Sequence, residues 1–172
     1  MRYIFLDIDG VLATDKQMYM NTAKFQAKHE WAKELNVLYP FDPGCVKIFN
    51  EILEKTGATI ILSSDWKKFW NLEKLRIIFE KNGIIDFPID VTSDFIASMD
   101  SWVGLEKNRA TQINEYITTH NLENFVVFDD LDVKKYSNPA YDDRMFLTRS
   151  SEGLKQSELK NKILVKLNSF TQ

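Results

Sequence analysis

The chain has 172 residues, with 22 basic and 25 acidic side chains and therefore a formal net charge of −3. Its hydrophobic share of 44% and charged share of 27% are close to the averages for globular proteins, which excludes a disordered or fibrous chain. The apolar runs are far shorter than the roughly 18 residues of a membrane span, and the N-terminus lacks a signal-peptide pattern. We therefore expect one domain over residues 1–172, soluble and cytoplasmic.

Five short apolar segments are predicted to be β-strands, and segments with helical periodicity lie between them. The first strand is Tyr3–Leu6, and it ends at an Asp-Ile-Asp-Gly sequence. The next helix has complete boundary signals, with Asp42 as its N-cap, Pro43 in its first position and Gly57 at its end. The other predicted strands are Ala58–Leu62, Ile89–Val91, Phe125–Phe128 and Met145–Leu147, and the other helices are Asn71–Asn82, about Lys107–Thr119 and one within Gly153–Phe170. This alternation predicts a parallel sheet covered by helices on both faces.

Two segments do not fit the alternation. Residues from Ala13 to Tyr39 contain a predicted helix over Thr22–Leu35 and are expected to form a small insertion or flap, at about residues 13–40, over one edge of the sheet. Residues Thr92–Gly104, which include Phe95 and Met99, are predicted to form a loop. Neither segment is long enough to be a second domain.

Polar residues follow three of the predicted strands, at the carboxyl ends where parallel sheets bind ligands. They are Asp7, Asp9 and Gly10 after the first strand, Ser63, Ser64 and Asp65 after the second, and Asp129, Asp130 and Asp132 after the fourth. Converging carboxylates repel one another unless a positive group lies among them. Mg²⁺ suits Asp7 with Asp129 or Asp130, because it binds one or two carboxylates and shares oxygens with a substrate phosphate. A single cysteine, Cys45, gives no basis for a cysteine zinc site.

Each of these segments also has a purely structural interpretation. An Asp-x-Asp-Gly sequence suits a polar turn, Ser63-Ser64 suits a helix N-cap, and Asp129-Asp130 suits a cap or a turn. Because all three occur at the ends of separate apolar runs, in the order that phosphoryl transfer needs, their combination favours a catalytic site.

The same segments resemble the four motifs of the haloacid dehalogenase superfamily. They are FLDIDGVL at residues 5–12, IILSS at residues 60–64, a basic residue at Lys107 or Arg109, and VVFDD at residues 126–130. Further features resemble the small branch found in Swiss army knife RNA repair proteins and related to polynucleotide kinase-phosphatase. These are Phe41-Asp42-Pro43, Thr56-Gly57-Ala58, Ser63-Ser64-Asp65-Trp66, Arg109 with Gln112, and Gly153-Leu154. The resemblance covers nearly the whole chain and implies a three-layer, Rossmann-like α/β fold with a mainly parallel central sheet and a small insertion after the first strand.

The resemblance also implies an activity and a set of roles. The protein would be a Mg²⁺-dependent phosphatase in which Asp7 is the nucleophile that forms an aspartyl-phosphate. Asp9 would be the general acid and base, and its backbone carbonyl would bind the metal. Arg109, which fits the branch pattern better than Lys107, would compensate the charge of the transferring group. The residues implied in phosphate binding are Ser63, Ser64, Lys67 and Lys107. Those implied in metal binding are Asp7, Asp9, Asp129 and Asp130. The branch usually has an arginine where this chain has Lys67-Lys68, and two adjacent lysines are also typical of a solvated loop.

The resemblance narrows the range of possible substrates. Dehalogenases of the superfamily lack the second acid, so Asp9 favours a phosphoryl substrate. The absence of a large cap favours a bulky phosphoester such as a nucleic-acid end or a protein, whereas the insertion favours a nucleotide. Its aromatic residues either stack on a base or bury the insertion against the sheet; they are Tyr19, Phe25, Trp31 and Tyr39. A nucleic-acid end or a nucleotide is the favoured substrate, with a protein phosphatase or a non-catalytic phosphate-binding scaffold as alternatives; neither a membrane nor an obligate protein partner is expected.

Overall fold

The computed structural model describes residues 1–94 and 102–170 of the chain. Its strands are β1 (Tyr3–Leu6), β2 (Thr59–Leu62), β3 (Asp90–Val91), β4 (Phe125–Asp129) and β5 (Met145–Leu147). They form one five-stranded sheet in the order β3-β2-β1-β4-β5, in which every neighbouring pair is parallel. Each strand lies within one residue of its predicted position at either end, and the predicted parallel sheet is confirmed.

Seven α-helices lie within the described part of the chain. They are α1 (Asp15–Met18), α2 (Thr22–Lys28), α3 (Glu30–Glu34), α4 (Pro43–Thr56), α5 (Leu72–Lys81), α6 (Trp102–His120) and α7 (Leu159–Ser169). Short 3₁₀ turns occupy Asp65–Lys68, Val133–Tyr136, Pro139–Arg144 and Gly153–Lys155. Among the described residues, none of the helices combines the length and the apolar character that crossing a membrane requires.

Alternate residues of the central strands pack on opposite faces of the sheet, as the two-residue period of a strand requires. Ile4 and Leu6 of β1 belong to a cluster of buried side chains that includes residues of α4, α5 and α7. Phe5 lies between them and belongs to a second cluster, which includes Ile113 and Ile117 of α6. Because both faces are covered, the three central strands β2, β1 and β4 are mostly apolar, and the predicted three-layer α/β fold is confirmed.

Helix α4 begins at the cap that the sequence predicts. The Asp42 carboxylate accepts hydrogen bonds from the backbone N–H groups of Gly44 at 2.8 Å and Cys45 at 3.2 Å. Pro43 occupies the first turn, where its missing N–H is not needed. Lys155 Nζ lies 2.7 Å from the same carboxylate and so connects the start of α4 to the chain that follows β5.

The insertion after β1 differs from its prediction. The single helix predicted over Thr22–Leu35 is in fact α2 and α3, separated at His29, whose backbone is extended with φ −134° and ψ 92°. The rings of Phe25 and Trp31 meet edge to face with their centroids 5.9 Å apart. Residues six apart on a continuous helix lie about 120° apart around its axis, so the break is what allows this contact.

Helix α6 begins earlier than predicted. It starts at Trp102 rather than near Lys107, so the loop prediction for Thr92–Gly104 is wrong from Trp102 onward. Phe95 and Met99, which the same prediction placed in the loop, lie outside the described residues. Glycine is a poor helix former, and Gly104 therefore conceals the first turns of α6 from sequence analysis.

Candidate active site

The order of the strands creates a switch point between β1 and β4, where ligands of open parallel sheets bind. From β1 the chain proceeds to β2 and β3 on one side, and then crosses to β4 and β5 on the other. Leu6 at the end of β1 is paired with Phe128 of β4. Asp7 and Asp129 directly follow these two residues, so the topology places them side by side.

Three carboxylates meet at this point. Asp7, Asp129 and Asp130 each offer an oxygen atom within 4.8 Å of the other two. Asp7 is oriented by the backbone N–H of Ile8, which donates to its Oδ1 at 2.8 Å, and Asp129 by the N–H of Leu131, which donates to its Oδ1 at 2.9 Å. Asp7 and Asp129 are buried and Asp130 is half-buried, so their mutual repulsion is poorly screened by water.

Arg109 supplies a positive charge to this cluster. Its Nη1 lies 2.7 Å from Asp129 Oδ2 and 3.2 Å from Asp7 Oδ2, and its side chain is buried. Burial alone would lower the pKa of Arg109, but Asp129 and Asp7 outweigh it and hold this pKa above its ordinary value. Lys107, the other candidate from the sequence, is exposed, and it lies about 160° from Arg109 around the axis of α6. The structure therefore brings Arg109, and not Lys107, among the carboxylates.

One guanidinium does not balance three carboxylates. Burial and the charge of Asp7 raise the pKa of Asp130 to about 7, even though Arg109 acts in the opposite direction. Burial likewise raises the pKa of Asp129. Such a cluster gains stability from a further cation, and carboxylate oxygens are the ligands that Mg²⁺ prefers.

Gly10 provides a second sign that the carboxylate cluster suits a cation. Its backbone has φ +72°, and a Cβ at this position would lie 2.3 Å from Oδ2 of Asp130. Only glycine therefore leaves the Asp130 carboxylate in its place beside Asp7 and Asp129. The donor set fits Mg²⁺, with these three aspartates as the residues that would hold it.

Asp9 lies apart from the carboxylate cluster and has partners of its own. The Tyr39 O–H donates to its Oδ1 at 2.9 Å, and the indole N–H of Trp66 donates to both oxygens at 3.1 and 3.2 Å. Burial and Asp7 raise the pKa of Asp9, while these two donors act against the rise. A carboxyl group that is fixed in place, with a raised pKa, is suited to proton transfer. Tyr39 comes from the insertion and Trp66 from the turn after β2, so two distant segments hold this side chain.

The two serines after β2 differ in their surroundings. The Ser63 hydroxyl is fully buried, and it has no hydrogen-bond partner among the described residues. Buried hydroxyl groups are almost always paired, so this one is available to a ligand oxygen. The Ser64 hydroxyl instead accepts from the backbone N–H of Trp66 at 3.5 Å, which is the N-cap role that the sequence also allowed.

Lys67 is buried in the site, whereas Lys68 is exposed. Lys67 has 2% of its side chain exposed, and its Nζ donates to Thr92 Oγ1 at 2.7 Å and Gln112 Oε1 at 2.8 Å. Burial and the nearby guanidinium lower the pKa of Lys67 to about 8. Lys68 pairs with Asp65 at 2.9 Å, and both side chains are exposed. Of the two lysines, Lys68 alone is solvent-exposed, which is the alternative that the sequence allowed for both.

A cavity of about 460 Å³ opens beside Asp9, between the insertion and the turn after β2. We call it the aromatic cavity, and its ring-bearing lining residues are Tyr39, Trp66, Phe69 and Trp70. Of the four candidate stacking residues that the sequence indicates in the insertion, namely Tyr19, Phe25, Trp31 and Tyr39, only Tyr39 lines the cavity. Phe25 and Trp31 pack into the core, and Tyr19 is exposed elsewhere.

Phe69 and Trp70 were therefore missed by sequence analysis. A usable signal exists, because Phe69 and Trp70 follow Trp66 at spacings of three and four residues, which is typical of one helical face.

A family model described as the HAD domain in Swiss Army Knife RNA repair proteins matches residues 3–159. The match includes the carboxylate cluster, Asp9, Ser63, Lys67 and Arg109. No curated protein and no solved structure gave a match.

Proposed function

The chain belongs to the family of HAD domains in Swiss Army Knife RNA repair proteins, and on this premise we propose that it is a Mg²⁺-dependent phosphatase of phosphomonoesters. The observation that carries the proposal is the site at the switch point. There the fixed carboxylate of Asp7 contacts the buried guanidinium of Arg109, and the neighbouring strand β2 is followed by Ser63, whose buried hydroxyl has no hydrogen-bond partner among the described residues. This set is suited to holding a phosphoryl group and attacking it.

Asp7 is the nucleophile of the proposed reaction. The Ile8 N–H and the Arg109 guanidinium orient its two oxygens, so little conformational freedom remains to be lost in the attack. An Asp7 oxygen forms a bond to phosphorus while the bond from phosphorus to the leaving oxygen breaks. The product is an aspartyl-phosphate, which water hydrolyses in a second step.

Asp9 moves the protons of both steps. It gives a proton to the leaving oxygen in the first step, and it takes one from the attacking water in the second. Its raised pKa favours the protonated form that the first step needs, and Tyr39 and Trp66 keep the carboxyl group in place.

Three side chains stabilise the charge on the transferring group. Ser63 Oγ donates a hydrogen bond to a phosphoryl oxygen, and Arg109 and Lys67 contribute positive charge. Mg²⁺, held by Asp7, Asp129 and Asp130, would supply further positive charge to the same group when bound.

The first test is phosphate release by the purified chain from an aryl phosphate, with and without Mg²⁺. Release should require Mg²⁺ and should fall to background in Asp7→Asn, which keeps the shape of the side chain but removes its nucleophilic charge. Asp132→Asn is the matched control, because Asp132 is an acidic residue of the loop after β4 that pairs with Lys135 and lies outside the cluster. Full activity in Asp7→Asn would overturn the assignment of the nucleophile.

The favoured substrate is a nucleic-acid end or a nucleotide. Phosphate release from a phosphopeptide and from a 3′-phosphorylated oligonucleotide, measured at equal concentration, distinguishes this activity from that of a protein phosphatase. If the chain released no phosphate from aryl phosphates, nucleotides, oligonucleotides or phosphopeptides, a non-catalytic phosphate-binding role would replace the proposed one.

A further inference from the structure

The aromatic cavity has a lining that phosphoryl chemistry does not explain. Its volume of about 460 Å³ falls within the roughly 300–1,000 Å³ typical of small-molecule sites. A phosphate group needs cations and N–H donors, but most of the residues that line this cavity carry rings or aliphatic side chains, namely Leu35, Leu38, Tyr39, Trp66, Phe69 and Trp70. The lining therefore suits a flat apolar group.

The position of the cavity indicates which part of a substrate would occupy it. Asp9 lines the cavity, and it follows Asp7, the proposed nucleophile, by two residues. In the proposed reaction Asp9 protonates the leaving oxygen, so the group attached to that oxygen extends from Asp9. The aromatic cavity is thus on the leaving-group side of the site.

Phe69 shows that one wall of the cavity is available to a ligand. Its side chain is 74% exposed, and its ring lies edge to face on Trp70 with the centroids 5.7 Å apart. Trp70 is in turn fixed, because its indole N–H donates to the Leu35 carbonyl at 2.7 Å and its ring lies 4.9 Å from that of Trp66. An exposed ring on a rigid aromatic base is a surface that favours stacking.

The charges around the cavity favour a neutral occupant. Asp9, Glu34 and Asp65 line it together with Lys74, so acidic groups outnumber the basic group among these charged residues. A second phosphate in the cavity would meet this excess of negative charge, whereas an uncharged ring would not.

We propose that the aromatic cavity binds the base of the nucleoside that carries the phosphate, with the base stacked on Phe69. The inference rests on the proposed function, because the reaction places the leaving group at Asp9. A free nucleotide and the last nucleotide of an RNA chain present the same base-and-phosphate chemistry, and the experiment separates these two sources.

The test measures kcat/KM for adenosine 3′- and 5′-monophosphate, for a 3′-phosphorylated RNA oligonucleotide and for ribose 5-phosphate, which lacks a base. In Phe69→Ala the ratio of kcat/KM for a base-bearing substrate to that for ribose 5-phosphate should fall roughly 5- to 150-fold, through KM, the range that base stacking gives. Tyr19→Ala is the matched control, since Tyr19 is 86% exposed and lies outside the cavity lining, and it should leave the ratio unchanged. A fall in this ratio for the monophosphates, the oligonucleotide or both supports the inference, and it shows whether the base belongs to a free nucleotide, to an RNA end or to either.

A second measurement needs no turnover. Adenosine should quench the tryptophan fluorescence of the wild-type chain, and Phe69→Ala should weaken its binding by a similar factor. An active Phe69→Ala variant with an unchanged ratio and unchanged adenosine binding would overturn the inference and leave the proposed function standing. Wild-type chain that binds adenosine but releases phosphate from no substrate would overturn the proposed function and leave base binding supported.

Discussion

Two opposite sets of contacts control the protonation of Asp9. Burial and the neighbouring Asp7 favour its protonated form, whereas hydrogen bonds from Tyr39 and Trp66 favour its ionised form. A group that first donates and then accepts a proton needs both forms within reach. The two donors therefore tune Asp9 as well as orient it.

Replacing Tyr39 with phenylalanine tests this tuning. The change keeps the ring beside Trp66 and removes only the O–H that stabilises the Asp9 carboxylate, so the pKa of Asp9 should rise further. Asp9 then stays protonated to a higher pH, and the alkaline decline of kcat for phosphate release should move to higher pH than in the wild type. The measurement is a full pH profile with Mg²⁺ present.

Tyr116→Phe is the control for this profile, because the Tyr116 O–H donates to Asp90 at 2.7 Å, outside the site, and its removal should leave the profile in place. An alkaline limb of Tyr39→Phe that stayed in place or moved to lower pH would contradict the role assigned to this hydrogen bond.

The sequence could place some site residues and not others, for a physical reason. Asp7, Ser63 and Asp129 directly follow strands, and parallel strands bring their carboxyl ends together without any further information. Lys67 follows no such rule, because its burial depends on Thr92 and Gln112, which come from elements far away in the chain.

At the scale of secondary structure, the sequence predicts an element well where residues close in sequence form the contacts that define it. Helix α4 could be predicted in full because its cap is formed by neighbours in sequence. The break at His29 could not, because the packing of Phe25 against Trp31 that accompanies it is a tertiary contact. Tertiary contacts outweigh helix propensity in so short a segment.

Asp42 is expected to stabilise the fold in two separable ways, as a cap and as the partner of Lys155. Asp42→Ala removes both and should lower the free energy of unfolding by about 1–2 kcal/mol. Asp42→Asn keeps an oxygen that can accept from Gly44 and Cys45, so it should cost less than about 1 kcal/mol. Urea titration followed by circular dichroism measures both values.

Asn71→Ala provides a comparison for Asp42, since Asn71 caps α5 by accepting from the Lys74 N–H at 3.0 Å. Its loss should cost about 1 kcal/mol through the cap alone. Equal destabilisation by Asp42→Asn and Asp42→Ala would show that the capping oxygen contributes nothing.

At the scale of the whole molecule, long-range topology creates features that local patterns do not contain. The alternation of strands and helices predicts a parallel sheet, but it does not say that β4 lies on the opposite side of β1 from β2. That order creates the switch point at Asp7. The aromatic cavity has a similar origin, because it forms between the insertion and the turn that carries Trp66 and Phe69.

The chain has a net charge of −3, and some of its acidic side chains are clustered in the folded state. This clustering leads to a prediction about the stability of the whole fold. Folding brings the oxygens of Asp7, Asp129 and Asp130 within 4.8 Å of one another, with Arg109 as their charge partner. The unfolded chain holds no such cluster, so Mg²⁺ should bind the folded state in preference and raise its stability.

Thermal unfolding in EDTA and in MgCl₂ measures this coupling. At about 100 times the dissociation constant, Mg²⁺ should add about 2.7 kcal/mol, which corresponds to a rise in Tm of about 5–11 °C for a chain of this size. Asp130→Asn removes one ligand and should shrink the rise, while Asp132→Asn, outside the cluster, should retain it. In EDTA, Asp130→Asn should be at least as stable as the wild type, because it removes one of the repelling charges. An equal rise in Asp130→Asn and the wild type would mean that Mg²⁺ binds the folded chain elsewhere than at these aspartates.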